Sequence, residues 1–328
     1  AFTTAATATG QDDNIGIGYR ALNNANVQDF NRNIAIGSYA LSTTGTNQHT
    51  GTIAIGFQAL AGNTSGQLNA LGSNVSGDKN VAIGYQAGED YNPTANFGNS
   101  VFVGHQAGLN VSTARKATII GNAAVGLGVM TGHENTVIGN EAGYDLTSGA
   151  ANVMVGVEAG TNTTDGDRNV YIGYQAAEAA TTADYNVVIG YEAMSVTDDA
   201  DYNVAIGYKA MQDLGTGIND GEGFNTVVGA NALSEGTTHQ YTTGRNLTSG
   251  HSNTLVGNIA GNIITTGTNN TIIGYNCQTP AVDTDHCIIL GHGITSAGGN
   301  DFSFGKASNV VKCDFATDAV FERNSDER

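Results

Sequence analysis

The sequence predicts an all-β fold: a parallel β-roll, or β-solenoid, of about sixteen coils, assembled as a homotrimeric rod. A nine-residue phrase recurs as NVYIGYQAA (169–177), NVVIGYEAM (186–194) and NVAIGYKAM (203–211), each copy seventeen residues after the last. The 328 residues include 46 Gly, 2 Pro and no Trp, and 13% are charged, which is typical of many short strands joined by turns. One column of the repeat is uncharged in every copy, and this indicates self-association.

The phrase occurs sixteen times when the copies are aligned on their glycine. Seven of the fifteen intervals are seventeen residues long, the shortest is twelve and the longest is twenty-eight. A period this short does not hold a helix pair, but it holds one coil of two short strands and two turns. Sixteen coils at about 4.8 Å each predict a rod on the order of 75 Å long. The aligned glycines are Gly18, Gly37, Gly56, Gly72, Gly84, Gly104, Gly121, Gly139, Gly156, Gly173, Gly190, Gly207, Gly229, Gly257, Gly274 and Gly291.

Each copy predicts a short strand that ends at its glycine. The position before the glycine is aliphatic throughout, from Ile17 to Leu290, and the position three before it is Val, Ile or Thr except at Asn69. Because side chains alternate along a strand, these two columns share a face, which we expect to line the interior of the coil. Alanine three residues after the glycine in thirteen copies fits a narrow interior. The glycine predicts a turn with positive φ or a close backbone approach.

Asparagine stands four residues before the glycine in eleven copies. Stacked at one corner of successive coils, these side chains are expected to form an amide ladder in which each bonds the next. The predicted ladder residues are Asn14, Asn33, Asn80, Asn135, Asn152, Asn169, Asn186, Asn203, Asn225, Asn253 and Asn270.

The column between the two aliphatic ones carries Ala35, Phe102, Tyr171, Ala205 and similar uncharged residues. If the aliphatic columns face inward, this one faces outward, and an apolar stripe of that length exceeds what a soluble monomer exposes. Strands that are apolar on both faces are usually buried on both faces. Association of three chains along this stripe is the prediction; the alternative is cover by a loop or second layer of the same chain.

The net charge of −18 excludes several classes of partner. No basic stripe is present to neutralise a nucleic-acid backbone or to dock on anionic lipid. Three cysteines, Cys277, Cys287 and Cys313, are too few for a disulfide framework, and we expect buried free thiols. No apolar run approaches the length of a membrane span.

The phrases NVAIGYQAG (80–88) and NTVIGNEAG (135–143) resemble the Asn-x-x-Ile-Gly-x-x-Ala repeats of trimeric autotransporter adhesin heads. The resemblance covers about 14–296 and implies a left-handed parallel β-roll assembled as a trimer. With looser spacing, the phrase is also similar to repeats of bacteriophage tail fibres and related virion appendages.

The C-terminal residues NSDER (324–328) are similar to the start of the self-cleaving intramolecular chaperone domain that follows many phage fibres and tailspikes. The resemblance implies that Ser325 is the self-cleavage site, matched by Asp326 and Arg328, although nothing follows Arg328 and a cut chain would end at Asn324. The predicted organisation is a lead-in or cap (1–13), the solenoid (14–296), a C-terminal cap or neck (297–322) and the start of a chaperone domain (323–328).

Catalytic and metal-binding patterns are absent from the sequence. The histidines lack metal-ligand spacing, and acidic loops such as TDDADYN (197–203) match no calcium-binding motif. Neither an enzymatic activity nor a cofactor or metal is therefore predicted. A polysaccharide-degrading spike would need paired carboxylates in a groove, and the sequence favours it little.

The long interval before Gly257 contains SEGTTHQYTTGRNLTSGHSN (234–253). Binding residues concentrate on loops held by a rigid scaffold, so the aromatic, basic and imidazole groups of this loop are candidates for receptor contact, with a solvated insertion as the alternative. These candidates are His239, Tyr241, Arg245 and His251. A further set of aromatic residues directly follows the glycine and is expected to stack as a structural ladder: Tyr19, Phe57, Tyr85, Tyr174, Tyr191, Tyr208 and Tyr275.

Together these features predict an extracellular virion fibre protein, a phage tail fibre or appendage that presents loops for attachment to a host surface. Its expected partners are itself, other tail or virion proteins, and a host surface glycan or outer-membrane protein, but not nucleic acid. Two alternatives stay open: the head of a bacterial trimeric surface adhesin, and a polysaccharide-degrading tailspike.

Overall fold

The computed structural model describes residues 13–23, 30–42, 49–50, 53–57, 80–91, 99–196, 199–212, 223–233, 249–314 and 322–323. These residues contain strands and turns but no helix, and they form a parallel β-solenoid of about thirteen turns. The count of sixteen coils is not shown, since the copy around Gly72 lies outside the described residues. The chain divides into two compact units, Ala1–Arg168 and Asn169–Arg328.

The first unit contains a parallel sheet in the order β1-β3-β5-β6-β7-β8-β9-β10, with β2 and β4 paired separately. Neighbouring strands align copy on copy, so that Ile15 lies opposite Ile34 and Ile119 opposite Val137. The strands are β1 (Ile15–Ile17), β2 (Phe30–Asn31), β3 (Ile34–Ile36), β4 (His49–Thr50), β5 (Ile53–Ile55), β6 (Val81–Ile83), β7 (Val101–Val103), β8 (Thr118–Ile120), β9 (Thr136–Ile138) and β10 (Val153–Val155).

The second unit continues the same pattern from β11 to β18 and ends in antiparallel pairings, β18 with β19 and β19 with β20. A parallel sheet that ends in a hairpin has its last edge covered by its own chain. The strands are β11 (Val170–Ile172), β12 (Val187–Ile189), β13 (Val204–Ile206), β14 (Thr226–Val228), β15 (Thr254–Val256), β16 (Thr271–Tyr275), β17 (Ile288–His292), β18 (Asp301–Lys306), β19 (Asn309–Asp314) and β20 (Glu322–Arg323).

The orientation of the strands is the reverse of the sequence prediction. In each three-residue strand the middle residue is buried and its two neighbours are half-buried or exposed. The column predicted to face a partner, including Ala35, Phe102, Tyr171 and Ala205, is fully buried within the single chain. That prediction was wrong because the asparagine column lies two residues away on the same strand face, and both columns line the interior.

The volumes inside each coil explain why the middle column varies so widely in size. In many coils the residue four after the glycine is also buried, and a large side chain there lies beside a small middle residue, as in Ala205 with Met211. Where the middle residue is Phe102 the partner position is Gly108, whose added Cβ would lie 2.4 Å from the Phe102 ring. A close-packed interior accommodates either arrangement.

The glycine that ends each strand has no room for a side chain. Gly139 has φ +152°, and an added Cβ would lie 2.0 Å from the carbonyl oxygen of Gly156 in the next coil. Other corners are formed by residues other than glycine in left-handed conformation, such as Tyr185, Glu192 and Met194, with φ of 57°, 47° and 51°. Each coil therefore turns by several left-handed positions, which L residues adopt at a cost.

The asparagines of successive coils lie above one another, with their side chains inside the coil. Asn186 Oδ1 accepts the backbone N–H of Asn203 at 2.8 Å, and Asn186 Nδ2 donates to the Ala200 carbonyl at 2.8 Å. Asn135 and Asn253 have equivalent bonds in their own units. The amides thereby satisfy backbone groups that the turns leave without a strand partner.

Candidate functional site

The outer face of each parallel sheet is uncharged along the described strands of the repeat. Along the described strands from β1 to β17 that end at the repeat glycine, both outward columns contain only Val, Ile, Leu and Thr. Ile83 in the first unit is 40% exposed and Ile273 in the second is 43% exposed. The outward face is thus formed by the two columns that were expected to face inward, and the column predicted to form an outer stripe is buried.

Aromatic residues border this face directly after the glycines. In the first unit Phe57 stacks on Tyr85 with ring centroids 6.4 Å apart, and Tyr85 stacks on His105 at 5.2 Å. Tyr19 contacts Tyr39 edge to face. His105 therefore joins the ladder as a planar ring.

The second unit has a more regular ladder at the same position. Tyr174 and Tyr191 stack at 5.1 Å, and Tyr191 and Tyr208 stack at 5.3 Å. Tyr275 stacks on His292 at 4.9 Å. Parallel rings at these distances contribute to stability beyond the area they bury, and their edges extend the uncharged face.

A charged pair lies beside this ladder. Lys209 Nζ is 2.8 Å from Glu192 Oε2, and Gln212 Nε2 donates to the same oxygen at 3.0 Å. The hydrogen bond from Lys209 lowers the pKa of Glu192, and Glu192 in turn raises the pKa of Lys209. A hydrogen bond to Glu192 also raises the pKa of Tyr191 to about 12.

The candidate receptor loop is only partly described. His239, Tyr241 and Arg245 lie outside the described residues. His251 is half-buried six residues before Gly257, where its Nδ1 lies 3.2 Å from Ser252 Oγ. Ser325, the self-cleavage residue implied by resemblance, also lies outside the described residues, as do 1–12 and 324–328.

A second aromatic column was missed in the sequence. Tyr185, Tyr202 and Phe224 lie five residues before their glycines, with ring centroids 4.9 and 5.0 Å apart and planes within 10°. They are 41%, 43% and 55% exposed. The signal in the sequence was their common position, five residues before the glycine. Every described residue at this position has a left-handed backbone conformation.

The same corner carries a different cluster in the first unit, here called the basic cleft: Asn99, Arg115, Lys116, His133 and Glu134. These residues line a surface cleft of about 250 Å³. Arg115 Nη2 lies 2.9 Å from His133 Nε2, and Lys116 Nζ lies 2.6 Å from Glu134 Oε1. The signal in the sequence was that Arg115 and Lys116 are the only adjacent basic residues among twelve.

The protonation of His133 follows from its neighbours. A guanidinium only donates hydrogen bonds, so His133 Nε2 accepts from Arg115 and the proton of the neutral ring is on Nδ1. Burial and the charge of Arg115 lower the pKa of His133, which keeps the ring neutral. The hydrogen bond from Lys116 lowers the pKa of Glu134. Nδ1 of His133 is buried and has no hydrogen-bond partner among the described residues.

The described residues hold no group of three or more His, Cys, Asp or Glu side chains arranged to bind a metal ion. All three cysteines are free and buried, and burial raises the pKa of the Cys287 thiol. Within the same described ranges, no helix is long and apolar enough to cross a membrane.

The comparisons with known proteins are negative. No protein-family model, no curated protein and no solved structure matches this chain.

Proposed function

We propose that this chain is a segment of a homotrimeric virion fibre, such as a phage tail fibre, whose solenoid holds attachment surfaces away from the particle. The observation that supports it is the uncharged outer face of each parallel sheet. Parallel sheets normally have both faces covered, and an apolar face of this extent is typical of an interface. Since no charged side chain interrupts the face along the strands that the structure describes, a second copy of the same face is the simplest cover.

Trimerisation gives such a fibre its means of attachment. Three chains present three copies of each corner and loop, so weak contacts add through effective concentration. The loop 234–253 with His239, Tyr241, Arg245 and His251 is one such surface, and a host surface glycan or outer-membrane protein is its proposed partner. The same assembly suits an adhesin head, whereas a tailspike would in addition release reducing ends from the glycan that it binds.

The mass of the protein in solution tests the assembly. Sedimentation equilibrium of the wild-type chain should give three times the chain mass of 33.6 kDa. Ile273→Lys places a charge on the outer face and should dissociate or aggregate the assembly, because a buried unpaired charge is costly. Thr182→Lys adds the same charge at an exposed turn and should leave the mass unchanged. A monodisperse, soluble wild-type monomer would refute the proposal.

A further inference from the structure

We propose that the end of the second aromatic column is a binding slot for a neutral pyranose residue of a glycan. The column consists of Tyr185, Tyr202 and Phe224 on successive coils. Ser252 has the same position on the next coil and Asn269 on the one after it. The space above Ser252, between Phe224 and Asn269, is here called the ring slot. For its part in attachment this inference rests on the proposed function, whereas the binding itself needs no assembly of three chains.

Hydrogen bonds between the coils fix the order of these residues. The Ser252 N–H donates to the Gly223 carbonyl at 3.1 Å, and the Asn269 N–H donates to the His251 carbonyl at 3.1 Å. Phe224, Ser252 and Asn269 have φ of 46°, 59° and 57°, so their side chains leave the corner in the same way. Because Ser252 has no ring, the stack of described rings ends at Phe224, and no ring of a described residue covers its far face.

The ring slot has the width of one missing ring. The ring centroids of the column are 4.9 and 5.0 Å apart, which is the rise of one coil. Phe224 and Asn269 are separated by two such rises, about 10 Å. A ligand ring placed midway would therefore lie about 5 Å from Phe224, a distance at which rings stack. Phe224 is 55% exposed, so the slot is open to solvent.

The groups around the slot favour a sugar over an aromatic ring. The face of the Phe224 ring carries negative potential, which attracts the C–H groups on one face of a pyranose. The opposite side is formed by the exposed amide of Asn269, and the base by the Ser252 hydroxyl, which lies 3.2 Å from His251 Nδ1. Hydroxyl, imidazole and amide groups donate and accept hydrogen bonds, as the hydroxyls of a sugar require. An aromatic ligand would use only the Phe224 face.

The charges near the slot favour a neutral ring. The residues five and six before the glycine on its three coils include no Lys, Arg, Asp or Glu: Gly223-Phe224, His251-Ser252 and Thr268-Asn269. The coil on either side has an aspartate at this corner, Asp201 and Asp285. These carboxylates and the net charge of −18 repel acidic sugars and nucleotides.

The slot connects with the loop selected from the sequence. His251, the only one of the four candidate receptor residues within the described ranges, belongs to the loop 234–253 and contacts the base of the slot through Ser252. The signal in the sequence is the change from an aromatic residue in three successive copies to serine in the fourth, at the end of the longest interval between glycines.

Saturation-transfer difference NMR of the full chain with the methyl pyranosides of glucose, galactose and mannose tests the proposal. We expect saturable binding of at least one, with the strongest transfer to the C–H protons of one ring face. Methyl glucuronoside and phenol should bind the slot more weakly than the preferred sugar. No saturable binding of any pyranoside, or tighter binding of the acid or of phenol, would overturn the proposal.

The source of the sugar is tested with the linear trisaccharide of the preferred pyranose. The trisaccharide should bind at least as tightly as the methyl pyranoside, because the slot is open to solvent. Loss of binding would exclude a glycan chain as the ligand.

Ser252→Tyr is the most direct variant, because it fills the slot with a ring of the protein itself. Tyr202 has φ 57° at the same position and Ser252 has φ 59°, so the new ring can continue the column. Binding should be lost while the melting temperature is kept or raised. Ala151→Tyr adds a ring at the equivalent exposed position of the first unit and should leave binding unchanged. Binding retained in Ser252→Tyr, or lost equally in Ala151→Tyr, would contradict the assignment.

A second pair of variants tests the stacking without filling the slot. Phe224→Leu should weaken binding about two- to tenfold, the loss expected for one ring contact, whereas Phe224→Tyr should keep it. Equal binding by the two variants would exclude stacking on this ring. This pair also replaces Ser252→Tyr if circular dichroism shows that variant to be unfolded.

Sedimentation equilibrium on the same samples separates this proposal from the fibre assembly. A trimer that binds no pyranoside would refute the ring slot alone. A monomer that binds a pyranoside and loses it in Ser252→Tyr would support the ring slot and refute the fibre assembly.

Discussion

Truncation of Asn186 to alanine should destabilise the second unit by about 2–6 kcal/mol, because it leaves two buried backbone groups unpaired at about 1–3 kcal/mol each. The groups are the Asn203 N–H, now 2.8 Å from Asn186 Oδ1, and the Ala200 carbonyl, now 2.8 Å from Asn186 Nδ2. Both residues that hold them are buried, so water does not replace the amide. The Asn186 backbone N–H keeps its bond to Asn169 Oδ1 at 2.8 Å, so the loss is confined to the side chain.

Denaturant unfolding followed by circular dichroism measures the free energy, and amide hydrogen exchange at Asn203 measures the local effect. The matched control is Asn122→Ala, which removes an exposed amide bond of 2.9 Å to Asn140 and should cost less than about 0.5 kcal/mol. Faster exchange at Asn203 is expected only in Asn186→Ala. Equal stabilities of the two variants, or unchanged exchange at Asn203, would refute the role assigned to the ladder.

Two further predictions concern a glycine and a tyrosine. Gly139→Ala should prevent correct stacking and lower the melting temperature strongly, since its Cβ would lie 2.0 Å from the Gly156 carbonyl oxygen. Gly293→Ala, with φ +63° and nothing within 4 Å of the added Cβ, should cost only about 1–2 kcal/mol of backbone strain; equal losses would contradict the packing explanation. The pKa of Tyr191, about 12 in the wild type, should fall toward its ordinary value near 10 in Glu192→Gln, since the hydrogen bond to the carboxylate favours the neutral phenol. Ultraviolet titration of the tyrosines, with Tyr191→Phe to assign the signal, measures this shift, and an unchanged value would show that Glu192 is not its cause.

The repeat length and the β-solenoid class could be predicted from the sequence because each depends on local features of the chain. The spacing of the glycines sets the length of a coil, and the β-branched columns favour short strands. It was harder to predict which face of each strand is turned to the interior, since both faces of these three-residue strands are uncharged. Hydropathy assigned the more aliphatic columns to the interior. The pairing of a small middle residue with a large residue six positions later, as in Ala205 and Met211, indicated instead that the middle column is interior. This pairing was visible in the sequence.

The candidate sites were less predictable because they depend on which coils lie side by side. His133 is eighteen residues from Arg115, and only the stacking of coils brings Nε2 to 2.9 Å from Nη2. Metal-ligand spacing along the chain does not indicate a contact between equivalent positions of adjacent coils. The signal for this pair is the repeat interval itself, which places Arg115 and His133 at the same position of two neighbouring coils.

The positions at which the copies differ indicate where binding chemistry can arise on this fold. The asparagine, the glycine and the alanine are enclosed by their own coil or by the next one, and a change at any of them disturbs the stack. The residues five and six before the glycine have their side chains at the surface, and there the copies read Arg115-Lys116, His133-Glu134, Asp184-Tyr185 and Asp201-Tyr202. Substitution at this corner changes charge and aromatic surface without changing the coil. A solenoid with these constraints therefore acquires specificity most readily at its corners, in addition to any loops inserted between its coils.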